Sequence, residues 1–147
     1  MVVSYDRVID EFLQKVTEYR LLEMPESTRD QIVRSYMRSA LSDFVKKCRE
    51  PLDHYDDEEQ IIEMKNDIDE DEFVNIISDG MVYYWFKQYM HNETNLRNHL
   101  NSIDFSSYSP AELLKQVKAS YEQCRINFTH ELRAYTYDHG DLTDLHI

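Results

Sequence analysis

Glycine and proline are scarce in this chain: only two glycines and three prolines occur among its 147 residues. Folds made mostly of strands need many tight turns, and tight turns draw heavily on these two residues. The hydrophobic fraction, 41% of residues with 12% aromatic, is enough to fill one core. A chain of this length fits one domain. The scarcity of turn-forming residues therefore predicts an all-α fold made of long helices.

Four stretches carry apolar residues at spacings of three and four, which places those residues on one face of a helix. Ser4, Asp69 and Ser109 precede three of these stretches and are good N-caps, and Pro110 occupies a favoured first helical position. We predict a single helical domain over residues 1–135, formed by a bundle of about four helices with a long C-terminal helix. The predicted helices span about Tyr5–Leu22, Thr28–Cys48, Glu70–Tyr89 and Pro110–Arg133.

The third predicted helix is apolar on almost every side. Val82, Tyr83 and Phe86 widen a stripe that already includes Trp85. A helix of this kind is buried on several sides, in a core or in an assembly. Gly80 lies in its middle, where glycine costs up to about 1 kcal/mol relative to alanine. We therefore expect Gly80 to permit the close approach of a neighbouring helix.

One acidic stretch carries most of the net charge of −13. Residues 51–80 hold twelve acidic residues and one basic residue, Lys65, and so contribute −11. We predict an irregular acidic segment over about residues 52–69, in which residues 61–64 form either a short strand or one docked helical turn. The segment is either a solubilising loop or a surface that repels DNA, mimics it, or binds a basic partner. The residues predicted to form this acidic channel or partner surface are Asp56, Asp57, Glu58, Glu59, Asp69, Glu70 and Asp71.

No arrangement of residues predicts catalysis. Two isolated glycines cannot form a phosphate-binding loop, and the six histidines show no zinc-ligand spacing. Asp67, Asp69 and Asp71 match the first ligand positions of an EF-hand loop. Glu72 and Ser78 stand where that loop needs glycine and a bidentate glutamate. We predict that the protein is not an enzyme, that it needs no cofactor, and that it has no catalytic, metal-binding or cofactor-binding residues.

The distribution of basic and apolar residues bears on the partners. Sequence-independent binding to nucleic-acid phosphates needs clustered Lys and Arg, and no such cluster occurs. No stretch approaches the roughly 20 apolar residues of a membrane span, and the N-terminus lacks a signal-peptide pattern. We expect a soluble protein that is made in the cytoplasm and has no membrane partner. Cys48 and Cys124 fall on apolar helix faces and are expected to be buried free thiols.

The last residues form a separate feature. Leu142, Leu145 and Ile147 lie beyond the last periodic helix, in a segment too short to have its own core. Burying each of them in a groove could contribute about 1.5–3 kcal/mol. We predict a C-terminal arm over residues 136–147 that docks on a neighbouring subunit. The alternative is a frayed terminus.

Three strings in the second half of the chain resemble those of a known group of proteins. They are DGMVYYW at 79–85, YSPA at 108–111 followed by Leu113-Leu114, and YTYDHGDLTDL at 135–145. Together they are similar to the small helical head–tail connector proteins, also called adaptor or head-completion proteins, of tailed phages of Gram-positive hosts. The likeness covers about residues 73–147.

The resemblance implies a ring of identical subunits, commonly twelve, that sits below the portal in the neck of the virion. Its partners would be further copies of itself, the portal protein and the next neck or tail protein, and DNA would pass through the channel without sequence-specific binding. The acidic segment would face that channel or the portal. The predicted subunit or partner interface consists of Trp85, Tyr89, Tyr135, Tyr137, Leu142, Leu145 and Ile147.

A second function is compatible with the same composition. A small acidic phage effector could mimic DNA and thereby bind and inhibit a host protein. Such mimics usually spread carboxylates over most of the surface, whereas residues 1–50 of this chain have no net charge. The neutral N-terminal third therefore favours the connector over the effector.

Overall fold

The computed structural model describes residues 1–16, 26–90 and 110–139. Helices dominate these residues, which confirms the prediction of a helical protein. A three-stranded sheet accompanies them, so the fold is mostly helical and not all-α as predicted. In chain order, the described elements are β1 Val2–Ser4, α1 Tyr5–Lys15, α2 Glu26–Cys48, β2 Leu52–Asp56, β3 Ile61–Met64, α3 Glu70–Met90 and α4 Pro110–His139.

Helix α3 is the centre of the fold, because it packs against α1, α2 and α4. Phe73, Ile77 and Met81 of α3 have no exposed surface. This position confirms the expectation that a helix apolar on nearly every side is buried on several sides. The side chains of the other helices that enter this core include Val8, Phe12, Met37, Phe44, Phe128 and Leu132.

Gly80 lies where α3 meets both α2 and α4. A Cβ atom at this position would stand 2.6 Å from the ring of Phe128 in α4 and 2.8 Å from the Cβ of Ala40 in α2. Ordinary contacts between carbon atoms are about 3.5–4.0 Å long. The absence of a side chain thus lets three helices approach one another at one point, as the sequence predicted for Gly80.

The sheet is antiparallel, with β3 between β1 and β2. Its inner face carries Val3, Ile62 and Met64, which are all buried in the core. Residues 61–64 are therefore a strand, which decides between the two alternatives left open by their sequence. Much of the segment predicted to be irregular over residues 52–69 is a β-hairpin.

The turn that joins β2 to β3 contains no glycine. The Oδ1 atom of Asp56 accepts hydrogen bonds from the backbone N–H groups of Glu58 (2.8 Å) and Glu59 (3.3 Å), which forms an Asx-turn. Gln60 follows with a φ of 58°, in the left-handed region that favours glycine. The backbone N–H of Tyr5 donates to the carbonyl of Gln60 at 2.8 Å. This bond holds the turn against the first residue of α1.

Two predicted N-caps are confirmed. Ser4 Oγ accepts a hydrogen bond from the N–H of Arg7 at 3.3 Å, and Asp69 Oδ1 accepts one from the N–H of Asp71 at 3.2 Å. Each cap satisfies a backbone donor that has no partner inside its helix. Helix α4 begins at Pro110 as predicted, and Ser109 lies outside the described residues.

The first two helices differ from prediction at one end each. Helix α1 ends at Lys15, because the backbone of Val16 is extended, with φ −115° and ψ 114°. The rest of the predicted first helix, residues 17–22, lies outside the described residues. Helix α2 begins at Glu26, so Thr28 is inside the helix and does not start it.

The fourth helix is longer than predicted and continues to His139. The hydroxyl group of Thr136 contacts the carbonyl oxygen of Lys47 at 3.3 Å, next to the end of α2. The predicted arm over residues 136–147 was therefore wrong for residues 136–139, which are helical, and Thr136 contacts the domain. The remainder of the arm, with Leu142, Leu145 and Ile147, lies outside the described residues.

Gly80→Ala tests the close packing of three helices. Alanine gains about 1 kcal/mol of helix propensity, but its methyl group must displace Phe128 and Ala40, and overpacking a core costs about 1–3 kcal/mol. Contacts of 2.6 and 2.8 Å place this position in the upper part of that range, so we expect a net loss of about 1–2 kcal/mol in the free energy of unfolding, measured by urea titration. Ser35→Ala on the exposed surface of α2 is the control and should change it by less than about 0.5 kcal/mol. An unchanged or raised stability of Gly80→Ala would contradict the packing.

Candidate interaction surface

The tip of the β2–β3 hairpin is attached to two helices through Asp57. The hydroxyl group of Tyr5 donates to Asp57 Oδ1 at 2.9 Å, and Arg38 Nη2 donates to Oδ2 at 2.8 Å. The hydrogen bonds from Tyr5 and Arg38 hold the pKa of Asp57 below its ordinary value. Burial, followed by the Asp57 carboxylate, raises the pKa of Tyr5 to about 12. Asp57 therefore fixes the hairpin on the helices.

The start of α3 is attached to α1 by a similar contact. Arg7 forms an ion pair with Glu70 at 3.1 Å and another with Asp71. Carboxylates in the first turn also suit the positive end of the helix dipole. Because these side chains are exposed, each pair contributes at most about 1 kcal/mol.

Most of the acidic residues predicted to form a channel or partner surface are engaged within the chain. Glu58 and Glu59 at the hairpin tip are exposed, and within the described residues no side-chain hydrogen bond or ion pair reaches them. Of the predicted acidic surface, only Glu58 and Glu59 thus have carboxylates without a partner among the described residues. The other carboxylates stabilise the fold. The acidic residues that cap backbone N–H groups or bind side chains are Asp56, Asp57, Asp69, Glu70 and Asp71.

Two residues predicted at a subunit interface are buried inside this chain. Trp85 is 6% exposed and its ring contacts Phe86, with centroids 4.6 Å apart. Tyr135 is 3% exposed, and its hydroxyl group donates to Glu50 Oε1 at 2.9 Å. Their side chains contribute to the core, and an interface role for either stays a prediction.

The other predicted interface residues divide into two groups. Tyr137 is 80% exposed and is available for contact. The side chain of Tyr89 lies outside the described part of the chain, as do Leu142, Leu145 and Ile147.

The outward face of α4 carries a second exposed apolar residue, which sequence analysis did not single out. Ile126 is 49% exposed. Tyr137 follows it by eleven positions, which is about three helical turns, so both side chains point the same way and stand about 16 Å apart along the axis. Lys115 and Arg133 are exposed on the same side. The spacing could have been found in the sequence, but only the structure tells this face from the buried one, which contains Phe128 and Leu132.

A polar cluster lies where α1, α3 and α4 meet. Lys15 Nζ contacts Asp79 Oδ1 at 2.7 Å, Ser78 Oγ at 2.7 Å and Asn75 Oδ1 at 3.0 Å. The side chains of Lys15 and Asp79 are only 23% and 27% exposed. The ion pair is therefore less screened by solvent than the exposed pairs of Arg7.

Glu131 of α4 faces this cluster. Its Oε2 atom is buried and has no hydrogen-bond partner among the described residues. Burial, followed by the Asp79 carboxylate, raises the pKa of Glu131 to about 8, and Lys15 opposes this rise. At neutral pH Glu131 is therefore mostly a neutral acid, which avoids placing two carboxylates side by side in a half-buried position.

Asp53, His54 and Glu63 come together on the outer face of the sheet. One possible ligand atom from each lies within 4.8 Å of the other two. His54 Nδ1 is 3.4 Å from Glu63 Oε2. Imidazole and carboxylate groups are ligands of divalent transition metals. The sequence pattern does not reveal this group, because neighbouring residues of a regular strand point to opposite faces.

The two cysteines are free, as predicted. Cys48 is buried and its thiol contacts the carbonyl oxygen of Leu132 at 3.5 Å. Cys124 is half-buried. Burial raises the pKa of both thiols, which keeps them protonated and unreactive.

Glu131→Gln tests the raised pKa through the pH dependence of stability. The folded chain holds the Glu131 proton up to about pH 8, whereas the ordinary value is 4.5, so the folded state loses stability as pH rises through this range. Glutamine does not titrate. We expect the variant to match the wild type near pH 5 and to exceed it by roughly 1–2 kcal/mol at about pH 8.5, measured by urea unfolding.

The matched control is Glu122→Gln, an exposed position on the same helix. It should leave the pH dependence of stability as it is in the wild type. If Glu131→Gln also leaves the pH dependence of stability unchanged, Glu131 is ionised at neutral pH and its carboxyl group is not buried beside Asp79.

Comparisons with other proteins identify no relative. No protein-family model matches the chain, and neither a curated protein nor a solved structure is significantly similar to it. Within the described residues, no helix combines the length and the apolar character needed to cross a membrane.

Proposed function

We propose that the chain is a non-catalytic structural subunit that binds copies of itself and other proteins, as a head–tail connector in the neck of a tailed phage. The observation that carries this proposal is the outward face of α4. Ile126 and Tyr137 stand on it, opposite the side that contacts α2 and α3. Both side chains would gain burial if another protein covered this face.

Charge supports a head-to-tail contact between copies. Lys115 and Arg133 lie on the same side of α4 as Ile126, whereas the hairpin tip presents the free carboxylates of Glu58 and Glu59. A contact between two different surfaces of one chain is heterologous, and such contacts form a ring when the rotation between copies closes. The proposed subunit contact therefore places the hairpin tip of one copy against the outward face of α4 in the next.

The acidic segment fits a channel through which DNA passes. Fixed carboxylates repel phosphates, so a lumen lined by them would let DNA pass without holding it. Glu58 and Glu59 are used by the proposed subunit contact, so the negative field at the channel would come from the other carboxylates of the segment, such as Asp71, which contribute to it although they are paired. The other parts of the proposal rest on the resemblance. They are the docking of the ring on the portal and its contact with the next neck or tail protein.

The same charges weigh against a DNA mimic. A mimic must present free carboxylates at the spacing of phosphates, whereas Asp57 is bound by Tyr5 and Arg38. Glu70 and Asp71 are bound by Arg7. Stoichiometric inhibition of a DNA-binding enzyme by the purified protein would nevertheless favour the effector.

Binding to portal-bearing capsids tests the connector proposal. Purified protein is added to DNA-filled capsids that carry the portal of the same phage and lack the neck, and the vertex is imaged by electron microscopy. We expect additional ring-shaped density below the portal. Intact capsids with no added density at saturating protein would contradict the proposal.

A charge placed on the outward face of α4 tests the proposed subunit contact. We expect the double variant Ile126→Asp with Tyr137→Asp to lose ring density on capsids, because aspartate cannot be buried unpaired at an interface. Both positions are exposed, so the circular dichroism and thermal melting of the isolated chain should stay close to wild type.

Asn127→Asp is the matched control, since Asn127 is exposed on the flank of the same helix. It adds a negative charge away from the outward face and should retain the ring. Rings of normal occupancy formed by the double variant would exclude this face as the subunit contact, while leaving portal binding itself supported.

A further inference from the structure

We propose that Asp53, His54 and Glu63 form a binding site for one divalent transition-metal cation on the outer face of the sheet. The site is built from two strands: Asp53 and His54 belong to β2, and Glu63 belongs to β3. It does not depend on the proposed function, because its ligands all come from this hairpin.

A β-bulge brings the three side chains together. Leu52 of β2 is paired with Met64 of β3, and His54 is paired with Glu63. Two residues of β2, Asp53 and His54, therefore stand opposite one residue of β3. A bulge of this kind changes the direction of a side chain, so that two consecutive residues reach the same face. In a regular strand, Asp53 would point to the face opposite that of His54.

The distances suit one shared ion. Ligand atoms bound to one zinc ion at about 2.1 Å lie roughly 3–4 Å apart. The candidate ligand atoms here lie within 4.8 Å of one another. Asp53 and His54 are exposed and Glu63 is half-buried. Small rotations of exposed side chains can therefore close the remaining distance without moving the strands.

The charges around the site favour the binding of a cation. Asp53 and Glu63 place two carboxylates near one imidazole, and within the described residues no Lys or Arg forms an ion pair with either. The other acidic side chains of the hairpin differ in this respect. Asp57 is neutralised by Arg38, and Asp56 accepts backbone hydrogen bonds. The negative charges of Asp53 and Glu63 are thus not neutralised by a Lys or Arg among the described residues.

The donor set selects the class of metal. An imidazole nitrogen with two carboxylate oxygens suits Zn²⁺, Mn²⁺, Co²⁺ or Ni²⁺, whereas Ca²⁺ and Mg²⁺ take oxygen ligands almost exclusively. Three protein ligands leave at least one coordination position open to water or to a ligand from another molecule. A bound ion would also join β2 to β3 at the bulge, where the strand pairing is interrupted.

Zinc binding by the full chain tests the proposal. The protein is treated with chelator, exchanged into metal-free buffer and titrated with Zn²⁺ by calorimetry, with Mg²⁺ as the comparison. We expect one Zn²⁺ to bind at this site, with little binding of Mg²⁺. The imidazole resonance that is missing from the nuclear magnetic resonance spectrum of His54→Ala should be the one that shifts on zinc addition to the wild type.

Three variants assign the binding to these residues. His54→Ala and Glu63→Gln should each weaken zinc binding by about tenfold or more. His130→Ala, which removes an exposed histidine on α4, is the control and should bind as the wild type does. Thermal melting in chelator checks that each variant is folded. The absence of zinc binding to the wild type, or equal affinity of the wild type and His54→Ala, would overturn the proposal.

Discussion

The approach of α2 and α4 to the middle of α3 is the constraint on which the rest of the structure depends. At Gly80 a Cβ atom would stand only 2.6 Å from the ring of Phe128 and 2.8 Å from the methyl group of Ala40, so neither helix could come as close if the residue had a side chain. This contact lets α3 bury apolar side chains on several sides, while α1 packs on a further side. The helix propensity lost at glycine is small, about 1 kcal/mol, compared with the dispersion and burial gained where three helices meet.

The sheet completes the helical core. Its inner residues, Val3, Ile62 and Met64, enter the same core as the helices. Polar contacts then fix its position: Tyr5 and Arg38 hold the hairpin tip through Asp57. Most tyrosines of the described chain likewise make contacts within the domain, either hydrogen bonds or ring contacts. Tyr83, for example, stacks on Tyr121 between α3 and α4, with ring centroids 5.7 Å apart.

The candidate surfaces consist of residues that point away from the core. On α4, Ile126 and Tyr137 face away from the core. On the sheet, Asp53, His54 and Glu63 face outward without a compensating cation among the described residues. We propose that the first surface contacts another protein and that the second binds a metal ion. An ion at the second would stiffen the hairpin whose tip is proposed to contact the next copy, which links the two surfaces mechanically.

The sequence by itself determined the helices and the place of α3, because helical periodicity, N-caps such as Ser4 and Asp69, and a glycine amid apolar residues are local signals. It did not predict the sheet. Strand β1 pairs with a segment about 60 residues away, the turn uses Gln60 in place of glycine, and the bulge at Asp53 breaks the alternation by which a strand is recognised. Only the tertiary structure brought Asp53 and His54 onto the face of Glu63. Likewise, only packing decided that Glu131 is buried beside Asp79, since burial and charge proximity depend on segments distant in the chain.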